Sequence, residues 1–101
     1  MRTRARSFYE RDTRRSRVPG GYFHLEEEQT RTRAHGYGHG DHIKLIDEYG
    51  NTWRGSGARG DDNTVTYRFR DSNGNALSGV SVDNMVTLRD TSGNIWKGFV
   101  D

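Results

Sequence analysis

The chain has 101 residues, with 16 basic and 14 acidic side chains and a net charge of +2. That length bounds it to one domain, and the lack of cysteine excludes disulfides and thiolate metal sites while leaving the redox compartment open. Leu, Ile, Val and Phe together number 17, below the roughly 20% at which disorder becomes a serious prior, but 13 of them lie between Ile43 and Val100 along with both tryptophans. A core is therefore expected in the C-terminal part of the chain and not in its first 40 residues alone.

Residues 1–21 read as a flexible basic arm. Arg2, Arg4, Arg6, Arg11, Arg14, Arg15 and Arg17 are set against only Glu10 and Asp12, so the first 20 residues carry +5, residues 21–40 carry −1 and residues 41–101 carry −2. The basic balance is a property of the arm, and a nucleic-acid hypothesis has to concern it. Ser7 and Glu10 have capping-box spacing, enough for a helical turn when the arm is docked. Unbound, so charged a segment is expected to be disordered, and Pro19-Gly20-Gly21 breaks whatever precedes it. Arginines interspersed with Ser, Thr, Phe8 and Tyr9 suit RNA or single-stranded DNA, where guanidinium and aromatic planes stack on bases. A solubilising tail and an arm that docks on an acidic protein partner are the other readings. The Arg- and Ser/Thr-rich start also has some of the composition of a transit peptide, against which stand the early Glu10 and Asp12.

Residues 22–41 are expected to be an extended or short helical segment followed by a loop. Glu27 and Arg31 have helical i,i+4 spacing, whereas Gln29-Thr30-Arg31-Thr32-Arg33 alternates as an exposed strand does. His35-Gly36-Tyr37-Gly38-His39-Gly40 reads as loop, because three glycines in five residues cost much backbone entropy. His35, His39 and His42 are candidate metal ligands at i, i+4 and i+7, with Asp41 adjacent and His24 upstream. A solvated loop with no visible partner for the imidazoles is the plainer reading. No cofactor is expected.

Residues 42–101 state one frame three times: D-x-x-G-N-x-[W/L]-x-G, beginning at Asp47, Asp71 and Asp90. Each Asp suits the first position of a type I turn, where its carboxylate bonds backbone N–H groups two residues on. Gly50, Gly74 and Gly93 suit the positive-φ position that completes the hairpin. The resulting register pairs Leu45 with Trp53, Phe69 with Leu77, and Leu88 with Trp96, which are the predicted core. It also places Gly55, Gly79 and Gly98 opposite Ile43, Tyr67 and Val86, leaving room for a neighbouring ring. Ser56–Asn63 reads as a connection. The expected fold is all-β: a small antiparallel barrel or sandwich of six or seven strands, built from three repeated hairpins.

The run Asp90-x-x-Gly93-Asn94-Ile95-Trp96-x-Gly98 resembles a segment of two-component regulator β-propeller blades, and Val86 to Trp96 resembles a strand of plant B3 DNA-binding domains. Propeller blades need some forty residues each; the frames here recur after 24 and 19, room for a hairpin apiece. Both likenesses follow from shared hairpin chemistry, and no family is assigned.

Arg59-Gly60-Asp61 spells an adhesion tripeptide, too short to carry weight. No nucleophile elbow, phosphate-binding glycine loop or His-Glu helix motif is present, so the chain is not expected to be an enzyme. No apolar run approaches a signal or membrane segment, which leads to an expected cytoplasmic or intracellular protein. The expected function is a non-enzymatic protein-interaction or assembly module whose basic arm orders on a partner, with exposed sheet edges open to β-augmentation or self-association. Nucleic-acid binding through the arm and metal binding through the histidines are the alternatives.

Overall fold

The computed structural model describes residues 18–101. Eight antiparallel strands follow one another as a meander: β1 (Gly20–Glu27), β2 (Arg33–His39), β3 (His42–Asp47), β4 (Thr52–Arg59), β5 (Thr64–Arg70), β6 (Ala76–Val82), β7 (Met85–Asp90) and β8 (Ile95–Val100). Pairing of β1 with β8 closes the sheet into a barrel. Among the described residues closure leaves no sheet edge open, in place of the exposed edges expected for strand addition. Among the described residues no helix is long and apolar enough to cross a membrane.

The alternation expected from Ile43 onward sorts side chains between the barrel interior and its outer face. Eight strands leave an interior just wide enough for side chains to fill. Phe23 lies edge-on to Tyr67 and Phe69, with ring centroids 5.2 and 6.3 Å away. Around this aromatic centre Leu25, Ile43, Leu45, Leu77, Val86 and Leu88 are buried, with Trp53 and Trp96 beside them. The pairs Leu45–Trp53, Phe69–Leu77 and Leu88–Trp96 face each other directly across their hairpins.

At one end of the barrel the turns share a hydrogen-bond pattern. The Asp47 carboxylate accepts from the N–H groups of Tyr49 and Asn51, Asp71 from Asn73 and Asn75, and Asp90 from Ser92 and Asn94. Gly50, Gly74 and Gly93 have φ of 86°, 86° and 89° and return a bond to the Asp carbonyl. A fourth turn, between β1 and β2, does the same with different residues. Glu27 takes the place of Asp, accepting from Gln29 and Thr30, and Arg31 takes the positive φ at 64°. These contacts hold the Glu27 carboxyl below its ordinary pKa, the Thr30 N–H most of all. The opposite end uses tight turns in which Asp62-Asn63 and Asp83-Asn84 both have positive φ, the signature of type I′ hairpins.

Two further expectations are corrected. His35–Gly40 is not a loop: His35 to His39 belong to β2, with Ala34, Gly36 and Gly38 turned inward and His35, Tyr37 and His39 outward. Ser56–Arg59 likewise belong to β4 rather than to a connection. The reason is the same in both. Inward glycines let a strand coil tightly against its neighbour, and barrels use them to turn corners. A Cβ on Gly36, Gly55, Gly79 or Gly98 would lie 1.7–2.0 Å from a carbonyl oxygen of the adjacent strand. Here the entropic cost of glycine is offset by closure, which the local sequence does not display.

Candidate interaction surface

Because strand neighbours continue around the barrel, outward side chains form rows that run across many strands. One row reads Val82 (β6), Met85 (β7), Phe99 (β8), His24 (β1), His35 (β2) and Ile46 (β3), each directly opposite the next. Met85 is 65% exposed and Phe99 46%. Val80, 43% exposed, lies two residues from Val82 on the same face. His24 stacks on Phe99 at a centroid distance of 4.8 Å. The apolar part of this row, from Val82 to Phe99 with Val80 beside it, is a continuous outward patch on the sheet.

A second row reads Tyr22 (β1), Tyr37 (β2), Lys44 (β3), Arg54 (β4) and Arg70 (β5), again each opposite the next. The two tyrosine rings are 4.5 Å apart between centroids. Arg68 lies on the same face of β5, between Ser56 and Ser78. Among the described residues the close ion pairs are Arg31–Glu26, Lys97–Glu28 at 2.7 Å and His24–Asp101 at 3.8 Å; none involves Lys44, Arg54, Arg68 or Arg70.

The candidate metal ligands are spread rather than gathered. His39 faces His42 across the β2–β3 turn, while His35 pairs with His24 and Ile46 further along the same strand. Among the described residues no three His, Asp or Glu side chains converge as a metal site would require. The turn residues Asp47, Gly50, Asp71, Gly74, Asp90 and Gly93 act on the backbone, as described above. Arg2, Arg4, Arg6, Arg11, Arg14, Arg15 and Arg17 lie outside the described residues.

A buried polar pair sits at one mouth of the barrel. The Tyr67 hydroxyl meets Ser81 Oγ at 3.5 Å under a mouth lined by Pro19, Arg59, Asn63 and Asn84. Burial pushes the Tyr67 phenol above its ordinary pKa. Both residues are buried, and their contact caps the aromatic core.

Apart from the histidines His24 and His35, named as possible metal ligands, the residues of the two outward rows are absent from the sequence-predicted site. Their signal was present, since each alternates with a core residue: Tyr22 with Phe23, Lys44 with Leu45, Arg54 with Trp53, Arg70 with Phe69, Phe99 with Val100. What local sequence lacked was the register that lines them up. Comparison with protein-family models, curated proteins and solved structures finds no match to this chain.

Proposed function

We propose that the protein is a non-enzymatic interaction and assembly module: a barrel of repeated hairpin units that associates through its outer face and carries a basic N-terminal arm that orders on the partner. The observation that supports this reading most directly is the apolar patch of Val80, Val82, Met85 and Phe99. With no sheet edge open among the described residues, a face is the surface left for the barrel to associate through, and an exposed apolar patch is the kind that partners cover. The occupant in this reading is a second copy of the chain, met through a self-complementary contact of twofold type.

The test is light scattering of the full chain over a range of concentrations at high salt, where arm electrostatics are screened. The mass is expected to rise with concentration for the native protein. The double variant Met85→Glu, Phe99→Glu should remain monomeric while keeping its β-sheet circular dichroism. A native protein that stays monomeric throughout, or a double variant that associates as the native protein does, would refute the proposal.

A further inference from the structure

The row from Tyr22 to Arg70 has a feature that folding alone does not explain. Lys44 faces Arg54, and Arg54 faces Arg70, as direct cross-strand partners. Like charges in that relation are destabilising, and among the described residues no carboxylate forms a close ion pair with any of the three. Arg68 adds a fourth cation, flanked by two serines that leave its guanidinium open.

A second observation falls at the same place. At three of the four long turns, the residue after the turn carboxylate donates its N–H to the strand alongside: Glu28 to Ile95, Glu48 to Arg33, and Thr91 to Ala76. The equivalent bond from Ser72 to Thr52 is not among the backbone bonds of the described residues. Instead a surface depression of about 480 Å³ lies there, between the turn residues Gly50 and Ser72 and the side chains of Arg54 and Arg70. A second depression, of about 540 Å³, continues from it past Arg54, Arg68 and Arg70 to Ser78. The carboxylate at this site, Asp71, has its oxygens engaged by Asn73 and Asn75, which lower its pKa, the Asn75 side chain chiefly.

We infer that the Tyr22–Tyr37–Lys44–Arg54–Arg70 row is a binding track for single-stranded nucleic acid. Lys44, Arg54, Arg68 and Arg70 hold phosphates along the β3–β5 face. Tyr22 and Tyr37, at the other end of the row, offer rings on which bases stack. Aromatic rings beside a cationic groove are the recurring solution for single strands. Four interstrand steps of about 4.8 Å give a track of about 19 Å, the reach of a few nucleotides. A convex barrel presents no helix or ribbon to enter a duplex groove, which favours the single strand. The track is separate from the Val80–Phe99 patch, and either can fail without the other.

The test uses the full chain and a fluorescently labelled, mixed-sequence single-stranded RNA, with anisotropy read over a salt series. The native protein should bind with an affinity that falls steeply with salt. Arg54→Gln with Arg70→Gln should weaken binding at least tenfold and reduce the log–log salt slope by about 1.4, two phosphate contacts at about 0.7 each for a single strand. Tyr22→Ala with Tyr37→Ala should weaken it at least fivefold without changing the slope. Arg59→Gln, about 17 Å up strand β4, is the charge control and should leave the slope near the native value. Arg54→Glu alone separates this role from a structural one: placed between Lys44 and Arg70, it should raise the melting temperature while lowering RNA affinity. An unchanged affinity and slope in the Arg54/Arg70 variant would overturn the inference, leaving any binding to the arm. So would binding to vesicles of anionic lipid with none to RNA, or no RNA binding by the native chain.

Discussion

Replacing Gly55 by alanine sets a methyl group against a backbone that has nowhere to go. The added Cβ would lie 1.8 Å from the Arg68 carbonyl oxygen and 2.7 Å from Phe69 Cα, where a carbon and an oxygen ordinarily stay about 3.3 Å apart. Strand β5 would have to retreat by about 1.5 Å, enough to break the ladder bonds on either side of the Gly55–Phe69 pair. Two such bonds at about 1 kcal/mol each, with about 1–3 kcal/mol of overpacking strain, place the cost at about 3–5 kcal/mol. A domain this size has only about 5–15 kcal/mol in hand. Gly74→Ala is the comparison: its φ is 86° and nothing lies within 4 Å of the added carbon, so the cost is the left-handed backbone penalty of about 1–2 kcal/mol. Urea unfolding of both variants gives the ranking. If Gly55→Ala proves no more costly than Gly74→Ala, inward glycines are not what permits the barrel to close.

Asp90→Ala should cost roughly 1 kcal/mol more than Asp71→Ala, because it leaves the mostly buried Trp96 indole N–H without the acceptor it now has at 3.2 Å; denaturant curves followed by tryptophan emission test the difference. The lowered pKa of Glu27 means that its folded-state value lies below its unfolded one. Its contribution is therefore complete at neutral pH and lost as pH falls from about 4.3 through the lower folded value. Glu27→Gln should be less stable than the native protein at pH 7 and lose less on acidification, so identical urea midpoints from pH 7 to 3 would refute this.

Several levels of the structure are legible in the sequence alone. The alternation of Ile43-Lys44-Leu45 and Val86-Thr87-Leu88 marks strands with one buried face, and an Asp followed by Gly three residues later marks the bends between them. Turn chemistry is local, since the Asp carboxylate reaches N–H groups no more than four residues away. It therefore reads directly from sequence. The β1–β2 turn escaped because it reaches the same geometry through Glu27 and Arg31, without the Asp or Gly that would announce it.

By itself, then, the sequence determined an all-β class and, from Ile43 onward, most of the short strands with their inward and outward faces. Tertiary structure decided how many strands there are, that β1 meets β8, and which outward residues stand side by side. The glycines show why. Gly36 and Gly38 look like loop residues until a neighbouring strand occupies the place where a Cβ would go. Arg54 and Arg70 are 16 positions apart in the chain, and only the register between β4 and β5 makes them neighbours. Closure and register depend on contacts distant in sequence, which is why the surface rows became visible only in the folded barrel.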